Sequence, residues 1–506
     1  MRSVARYRGG VNDGLLMGVD IGTSYSKGVV TTSDGAIVAR AERAHDVSMP
    51  HPGWAEHDAD AVWWADLCAI THELASSVGP ERVRALAVSG LGPAFLTLDQ
   101  HDRPLRPAIL YGIDTRASVE IEELAERYGE TAILERCGAA VTSQSVGPKA
   151  LWVRRHEPET WARTRRFGMV ASYLVLRLTG EYVLDHQSAS HCTPLYDIEA
   201  RAWIGQRADD IVPGLELPEL RWATEPAGRL RPGAAAETGL RAGTPVSVGT
   251  IDAWAEATSI GVRRPREAML MYGTALTLVH MLAPFRPLAS MWGCVGALPE
   301  TWSLAGGVTT SGALTKWLQR LVGDVPYQTL LDEAADTEPG ADGLVLLPYF
   351  SGERNPFYDP DARGVIAGLS LNHGRGHLYR AVLEGTAYGA RHMLEALAQA
   401  GHTPRRLVAV GGGTQHPLWP RIVSDVTGVA QELPAETVGA SYGDAWLGGV
   451  AAGLIDPASD WSRITEVVEP DASRRARYDD RYAAFRALYP ATADVVHGLA
   501  ADARAG

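Results

Sequence analysis

"GVDIGTSYSKGVVTT" (residues 18–32) is the stretch of sequence from which the fold can be argued. An apolar run ends in Asp20, and a second apolar run begins at Gly28. This pattern predicts a β-hairpin. Its tip carries a glycine, two hydroxyl groups and an amine, from Gly22, Thr23, Ser24 and Lys27. Backbone N–H groups that converge in such a turn favour an anion, so the tip predicts a phosphate site.

Asp20 is at first sight a poor neighbour for a phosphate group, because both carry negative charge. The combination makes sense when a magnesium ion with its water ligands lies between the carboxylate and the phosphate. The sequence contains no G-x-x-x-x-G-K-[ST] loop that would cradle a phosphate instead. An ordinary hairpin with a polar tip is the alternative interpretation.

A similar stretch, "MLMYGTALTLVHML" (269–282), occurs about 250 residues later. It too has the pattern of a strand, a tip formed by Gly273 and Thr274, and a second strand. Two such hairpins predict two similar halves of the chain. The Pro/Gly-rich stretch 231–245 is the predicted boundary between them.

Apolar runs that end in glycine recur along the chain and alternate with long segments of helical periodicity. Examples of these runs are "ALAVSG" (85–90), "PVSVG" (245–249) and "LVAVGGG" (407–413). Strands that alternate with helices predict an α/β protein. Ligands of such folds bind where the strands end.

Bulk composition excludes several functional classes. The formal net charge of −13 argues against broad binding to nucleic acid, which needs clustered Lys and Arg. No run of ~18 apolar residues occurs, so no membrane-spanning segment is predicted. Four scattered cysteines favour the reducing cytoplasm. Residues 1–14 lack the apolar run of a signal peptide and are expected to form a loose tail.

Two further stretches carry candidate chemistry. In "SVGTIDAWAEA" (247–257), a strand delivers Asp252 to the start of a helical run. There the carboxylate can act as a general base or as a helix N-cap, and the residues alone favour the N-cap. In "LVAVGGGTQHPLW" (407–419), three glycines follow a strand. They predict either a nucleotide-binding turn or a flexible strand-to-helix turn.

Together these motifs resemble the FGGY family of carbohydrate kinases, in the same order and over roughly residues 15 to 490. Residues 364–384 follow one of the family's signatures closely. The other segments that carry the resemblance, besides the first hairpin, are "HPGWAEHDADAVWW" (51–64), "RPAILYGIDTRA" (106–117), "LTGEYVLDHQSAS" (178–190), "SGALTKWL" (311–318) and "LPYFSGERNPFYDPDARGVIAGL" (347–369).

The resemblance implies an α/β fold of two actin-like (ribonuclease-H-like) domains that flank a deep cleft for nucleotide and sugar. Residues 15–245 would form the sugar-side domain with the first phosphate hairpin, and residues 246–490 the ATP-side domain with the catalytic aspartate, followed by a tail at residues 491–506. Each domain would supply one phosphate hairpin. Dimers are common in the family, so a homodimer is also expected.

The resemblance implies roles for individual residues as well. Asp252 matches the catalytic base, and Asp20 matches the magnesium-linked aspartate, so ATP and Mg2+ are the expected cofactors. The residues expected to bind ATP are Gly22, Thr23, Ser24 and Lys27 of the first hairpin, Gly273 and Thr274 of the second hairpin, and Gly411, Gly412, Thr414 and Gln415 of the glycine-rich turn.

The activity implied is ATP-dependent phosphorylation of a sugar hydroxyl, with a ketopentose as the leading substrate. Family members that phosphorylate xylulose carry S-G-Q-M-H-G, whereas this chain has "SGLGPA" (89–94) and lacks the imidazole. Ribulose, a hexulose, a polyol such as erythritol and gluconate stay open as substrates, as does a non-catalytic actin-like sensor of sugar or ATP. Asp114 and Arg116 contact the sugar or form a structural pair. The residues expected around the sugar are Gly92, Pro93, Asp114, Arg116 and Asp252.

Overall fold

The computed structural model of the chain describes residues 14–505, so residues 1–13 of the predicted N-terminal tail lie outside the described residues. The strands are, in chain order, β1 (Leu15–Ile21), β2 (Tyr25–Thr31), β3 (Ile37–Ala44), β4 (Glu56–His57), β5 (Val83–Gly90), β6 (Leu96–Leu98), β7 (Ala108–Ile109), β8 (Arg166–Gly168), β9 (Val183–Asp185), β10 (Tyr196–Asp197), β11 (Ala202–Trp203), β12 (Glu219–Arg221), β13 (Pro226–Arg229), β14 (Pro245–Ser247), β15 (Thr250–Ile251), β16 (Glu267–Tyr272), β17 (Leu276–Leu282), β18 (Trp292–Val295), β19 (Trp302–Val308), β20 (Val345–Leu347), β21 (Val365–Ala367), β22 (Arg406–Val410), β23 (Gln431–Pro434) and β24 (Ile464–Val468).

The α-helices are α1 (Ala65–Val78), α2 (Ser118–Tyr128), α3 (Glu130–Cys137), α4 (Val146–His156), α5 (Pro158–Arg163), α6 (Val170–Thr179), α7 (His186–Ser190), α8 (Gly205–Ile211), α9 (Pro232–Thr238), α10 (Asp252–Ser259), α11 (Gly312–Leu321), α12 (Tyr327–Ala335), α13 (Arg375–Gln399), α14 (Leu418–Thr427), α15 (Ala440–Ala451) and α16 (Arg475–Ala505). Within residues 14–505, none of these helices combines the length and the apolar character needed to cross a bilayer.

The first sheet has the strand order β13-β14-β5-β1-β2-β3, with β15 also pairing with β5. Strands β1, β2 and β3 form an antiparallel meander. Strand β5 then joins the other side of β1 in parallel. The predicted hairpin at the start of the chain is therefore the centre of this sheet, where its apolar residues are buried on both faces.

The second sheet repeats this arrangement in the order β18-β19-β17-β16-β22-β23-β24. Strands β16, β17 and β19 are antiparallel neighbours, and β22 joins the other side of β16 in parallel. The second hairpin of the sequence is thus β16–β17. The shared topology confirms the predicted α/β fold with two related domains.

A third group of elements extends from the first sheet between β5 and β13. It consists of helices α2 to α5, α7 and α8 with short strands, and it has a hydrophobic core of its own, whereas α6 packs in the core of the first sheet. Phe95, Trp152, Cys192 and Tyr196 are buried in this core. The lobe carries the predicted sugar-side residue Asp114 next to the first sheet.

Helix α15 comes from the second half of the sequence but packs on β1, β5 and α10 of the first half. The approach is close enough that a side chain at position 18 would collide with it. A Cβ atom on Gly18 would lie 2.0 Å from the carbonyl oxygen of Ser441 and 2.4 Å from the backbone nitrogen of Ala445. Apolar residues of both sheets and of α15 then share one core, including Leu16, Met269 and Trp446.

Two predicted boundaries fall inside secondary structure. Position 245 is the first residue of β14, which pairs with β5, so the first sheet continues as far as β15. Asp252, expected in the second domain, follows β15 directly and therefore lies at the first sheet. Position 490 lies within helix α16, which runs on to Ala505 and buries Val496 and Ala500. The last residues therefore extend this helix rather than forming a separate tail.

We expect the contact between β1 and α15 to be sensitive to one methyl group. Gly18→Ala should destabilise the protein by ~3 kcal/mol or more, because the new Cβ would meet backbone atoms that cannot rotate away. The measurement is the midpoint of urea unfolding. Gly233→Ala in helix α9 is the matched control, since nothing lies within 4 Å of a Cβ there, and it should change stability by less than ~1 kcal/mol. Equal midpoints for the two variants would contradict the expectation.

Candidate active site

The register of three strands brings Asp20 and Asp252 together. Strand β5 lies between β1 and β15, and its Ser89 pairs with Asp20 on one side and with Thr250 on the other. Asp252 follows β15 directly as the first residue of α10. Both carboxylates therefore lie at the same end of the first sheet, where both are partly open to solvent.

The tip of the first hairpin lies beside these acids. The Gly22 N–H donates to the carbonyl oxygen of Tyr25 at 3.0 Å and closes the turn. Thr23 and Ser24 lie at the tip, with Ser24 exposed, and the exposed Lys27 is the cross-strand partner of Asp20. The structure thus brings together the predicted acid, hydroxyls and amine.

A histidine that the sequence analysis missed supports this tip. His45 at the end of β3 contacts the Gly22 carbonyl oxygen through Nε2 at 3.0 Å and the Asp66 carboxylate through Nδ1 at 2.9 Å. Burial alone would lower the pKa of His45, but the bonds to Asp66 and Gly22 outweigh it and raise this pKa. Asp66, a residue of helix α1, also accepts a hydrogen bond from Ser26 of β2 at 2.7 Å, so these bonds join the hairpin to α1.

Burial raises the pKa of three acids at this end of the sheet, and the charge of Asp20 raises the pKa of the other two further. Burial raises the pKa of Asp20 to about 6, against the opposing effects of Ser89, Lys27 and His45. Burial and then the charge of Asp20 raise the pKa of Asp252 well above its ordinary value, with a further contribution from Glu256. Glu256, one turn further along α10, has its own pKa raised to about 7 by burial and by Asp20.

The contacts of Asp252 bear on the N-cap alternative. Its carboxylate accepts a hydrogen bond from the adjacent Ala253 N–H at 2.7 Å, and the N-cap position of α10 is occupied by Ile251. An N-cap side chain would instead accept from an N–H two or three residues ahead. Asp252 is partly exposed, and it lies near Tyr111, whose pKa is raised by burial and by the charge of Asp252.

The second hairpin is joined to the start of helix α11. The Gly273 N–H donates to the Ala275 carbonyl oxygen at 3.0 Å and closes the turn. The carbonyl oxygen of Thr274 then accepts from the backbone N–H groups of Ser311 and Ala313, at 3.0 and 3.1 Å. The exposed Thr274 therefore lies at the N-terminal end of a helix, where the helix dipole favours an anion.

The glycine-rich turn lies next to this hairpin because β22 pairs with β16. Met271 and Val410 are paired residues, so both strands end at the same edge. Gly411 has φ of 95°, and a Cβ there would lie 2.7 Å from the carbonyl oxygen of Tyr272. Thr414 folds back on Gly411 through its N–H and hydroxyl. Gly412 and Gln415 are exposed above the turn, and a Cβ at Gly412 would meet open space.

The predicted sugar-side residues fall into two groups. Gly92 lies against Ile251, immediately before Asp252, since a Cβ on Gly92 would be 2.5 Å from the Ile251 side chain. Pro93 follows it and is buried. This group therefore lies beside the reacting end of the cleft.

Asp114 and Arg116 are engaged with each other. Arg116 donates to Asp114 through Nε at 3.0 Å and Nη2 at 2.7 Å, and to Glu56 through Nη1 at 2.8 Å. Asp114 also accepts from the Ala55 N–H at 2.7 Å, and the Arg116 guanidinium stacks on Trp54 at 3.8 Å. Only 1% of each charged side chain is exposed. These contacts favour the structural pair over a role in sugar binding.

The carboxylate of Asp20 fits a magnesium ion held mainly by other ligands. Within residues 14–505 its one hydrogen bond is to Ser89 at 3.3 Å, which leaves the second carboxylate oxygen for a cation. No group of three or more His, Cys, Asp or Glu side chains in the described part of the chain could hold a metal ion. Such a site matches the preference of Mg2+ for one or two carboxylates together with phosphate oxygens and water.

Comparisons with known proteins agree with this architecture. The family models of the N-terminal and C-terminal domains of FGGY carbohydrate kinases match residues 15–259 and 268–452. The xylulose kinase of Escherichia coli K12 is 31% identical over 94% of this chain and 98% of its own length.

Solved structures of xylulose kinases are also similar to this chain over nearly its whole length. The crystal structure of the xylulose kinase from Rhodospirillum rubrum has a TM-score of 0.87 at 32% identity and covers 96% of this chain and 100% of that one. The xylulose kinase from Brucella ovis has a TM-score of 0.88 at 33% identity, over 95% and 100% of the two chains. The chain belongs to the FGGY family of carbohydrate kinases.

Proposed function

We propose that the protein transfers the γ-phosphoryl group of ATP to a hydroxyl group of xylulose, with Asp252 as general base. The observation that carries the proposal is the position of Asp252 beside Asp20 and the first hairpin, which the register of β1, β5 and β15 imposes. The similarity to xylulose kinases over nearly the whole chain supports the choice of sugar.

The proposed reaction depends on alignment and charge more than on covalent chemistry. The hydroxyl of the sugar attacks the γ-phosphorus, and Asp252 accepts its proton. Lys27 and the hydroxyls of Thr23 and Ser24 would contact the phosphoryl group from the first domain. Gly273 and Thr274 would contact the phosphates from the second domain, so that the two hairpins would hold the triphosphate of ATP from opposite sides.

Asp20 would hold Mg2+, which neutralises charge on the phosphates when it is bound. The adenosine side would rest on the open turn formed by Gly411, Gly412, Thr414 and Gln415, where no side chain blocks the backbone of Gly412. Closure of the domains would exclude water and align the sugar hydroxyl with the phosphate.

The segment around Gly92 bears directly on whether xylulose is the substrate. A site that uses hydrogen bonds to recognise hydroxyls loses affinity when a polar partner is removed, and this chain has Leu91, Gly92 and Pro93 where an imidazole is expected. Xylulose must therefore be held by other groups beside Asp252. Tyr111 is one candidate, because it is affected by the charge of Asp252 and contacts the hairpin through Thr23 at 3.1 Å.

The proposal is tested by ADP release with xylulose, ribulose, erythritol, gluconate and glycerol. Xylulose should raise turnover well above the sugar-free rate. Asp252→Asn should reduce the sugar-stimulated rate by about 10²–10⁴-fold, because the proton acceptor is lost, while ATP binding measured by calorimetry is retained. Asp209→Asn on the exposed face of α8 is the matched control and should leave the rate unchanged. Stimulation by another compound alone would reject xylulose, and full activity of the Asp252 variant would reject the base.

The pH dependence of kcat/KM should report the environment of Asp252. Only the ionised carboxylate accepts a proton, so activity is present above its pKa and lost as the pH falls through it. We expect this loss at a pH above the ordinary aspartate value of 3.8, because burial and the charges of Asp20 and Glu256 raise the pKa of Asp252. Glu256→Gln removes one of these charges and should move the loss to lower pH. An unchanged acidic limb in this variant would contradict the expectation.

A further inference from the structure

Asp444 is a buried acid that reaches the active site from helix α15. It is 0% exposed, and its Oδ2 atom lies 2.6 Å from the hydroxyl oxygen of Ser89. The same hydroxyl lies 3.3 Å from Oδ1 of Asp20. The other oxygen of Asp444, Oδ1, is buried without a hydrogen-bond partner in the described part of the chain.

The contacts of Ser89 with Asp444 and Asp20 need one more proton than the Ser89 hydroxyl group supplies. Asp444, Ser89 and Asp20 make two oxygen–oxygen contacts, and each hydrogen bond needs one proton. The Ser89 hydroxyl supplies a single proton. When both acids are ionised, one carboxylate must face a lone pair of Ser89, which is unfavourable in a buried site. A second proton on one of the two carboxyl groups would give each contact a hydrogen.

The surroundings decide which carboxyl group this is. Asp20 faces the cleft, with Lys27 directly across the hairpin. Asp444 has no exposed surface, and it forms no salt bridge among those found within residues 14–505. The ionisable groups that face it are Asp20 from β1 and Asp252 from α10, and both are acids. A buried carboxylate without a cation is costly, whereas a neutral carboxyl group is not.

We propose that Asp444 is a neutral carboxylic acid that donates its proton to Ser89, so that Ser89 donates in turn to Asp20. Asp444 is then a positioning residue, which holds one oxygen of Asp20 and leaves that carboxylate ionised for a cation. Burial, followed by the charges of Asp20 and Asp252, raises the pKa of Asp444 well above its ordinary value, although hydrogen bonds from Ser89 act in the opposite direction. The proposal that Asp444 is neutral does not rest on the proposed function. Its consequence, an Asp20 carboxylate that is available to Mg2+, does rest on that function.

The first test uses the protein without ligands. An acid whose pKa is raised by folding contributes stability below its unfolded pKa, and this stability is lost as the pH rises towards the folded pKa. Asp444→Asn keeps the shape and a donor for Ser89 but has no proton to lose. Relative to wild type, its unfolding equilibrium should therefore favour the folded state more strongly, by up to about tenfold per pH unit, as the pH rises above the ordinary aspartate value of 3.8. The measurement is urea unfolding at each pH, and a difference that does not change with pH overturns the proposal.

Infrared spectroscopy provides an independent measurement. Wild-type protein at about pH 8 should show the C=O band of a protonated carboxylic acid, which shifts in D2O. The Asp444→Asn difference spectrum should contain the loss of this band. Absence of any such band in the wild-type spectrum overturns the proposal even if the variant does not fold. Ser441→Ala, another wholly buried residue of α15, is the matched control and should retain the band.

The effect on Asp20 is tested by the dependence of turnover on Mg2+. Asp444→Ala removes the donor, so the Mg2+ concentration at half-maximal rate should rise at least about tenfold, whereas Asp444→Asn should restore a value near that of wild type. A purely structural role would lower stability in both variants without this difference. The positioning role is overturned if both variants need the same Mg2+ concentration, or if Asp444→Asn needs more Mg2+ than Asp444→Ala. A protein that no sugar stimulates would reject the proposed function, yet the stability and infrared results would still decide the state of Asp444.

Discussion

Helix α15 can lie on β1 only because residue 18 has no side chain, and much of the active site depends on this contact. The helix belongs to the second half of the sequence, yet its buried face completes the packing of the first sheet. It is held there by a core to which both sheets contribute. The same contact places Asp444 against Ser89, so the second half of the chain adds a polar group to the site of the first half.

The cleft has an excess of negative charge that the protein does not neutralise itself. The charge of Asp20 raises the pKa of both Asp252 and Glu256, Glu256 raises that of Asp252 further, and Lys27 lowers the pKa of both Asp20 and Glu256. An acid-rich site would repel a free nucleotide, but it attracts one that arrives with a divalent cation. The same excess keeps the pKa of Asp252 high, which makes its carboxylate a stronger proton acceptor than an ordinary aspartate.

Strand ends and glycine-containing turns were predictable from the sequence because each is a local pattern. The two hairpins, the turn at Gly411 and the position of Asp252 at the start of α10 all follow from runs of apolar residues and the residues that end them. The role of Ser89 was not predictable in this way, because it depends on the register of β5 with two other strands. His45, Glu256 and Asp444 were missed for the same reason, since each reaches the site from an element whose place is set by tertiary packing. Asp114 and Arg116 show the converse, because their spacing suits a ligand site but their charges are already paired.

The arrangement of the hairpins explains why a kinase of this kind needs two related domains. Each hairpin tip offers N–H groups and hydroxyls to an anion, but a single turn can contact only one side of a phosphate. Because β16–β17 repeats β1–β2 in a second domain, a nucleotide that binds Gly273 and Thr274 as proposed would move towards Thr23 and Lys27 as a unit when the domains close. Asp252, the proposed proton acceptor, follows β15 of the first sheet, so in the proposed reaction it would stay with the sugar during this motion. Closure would then set the distance between the attacking hydroxyl and the phosphate, and the base would remain aligned with the hydroxyl throughout.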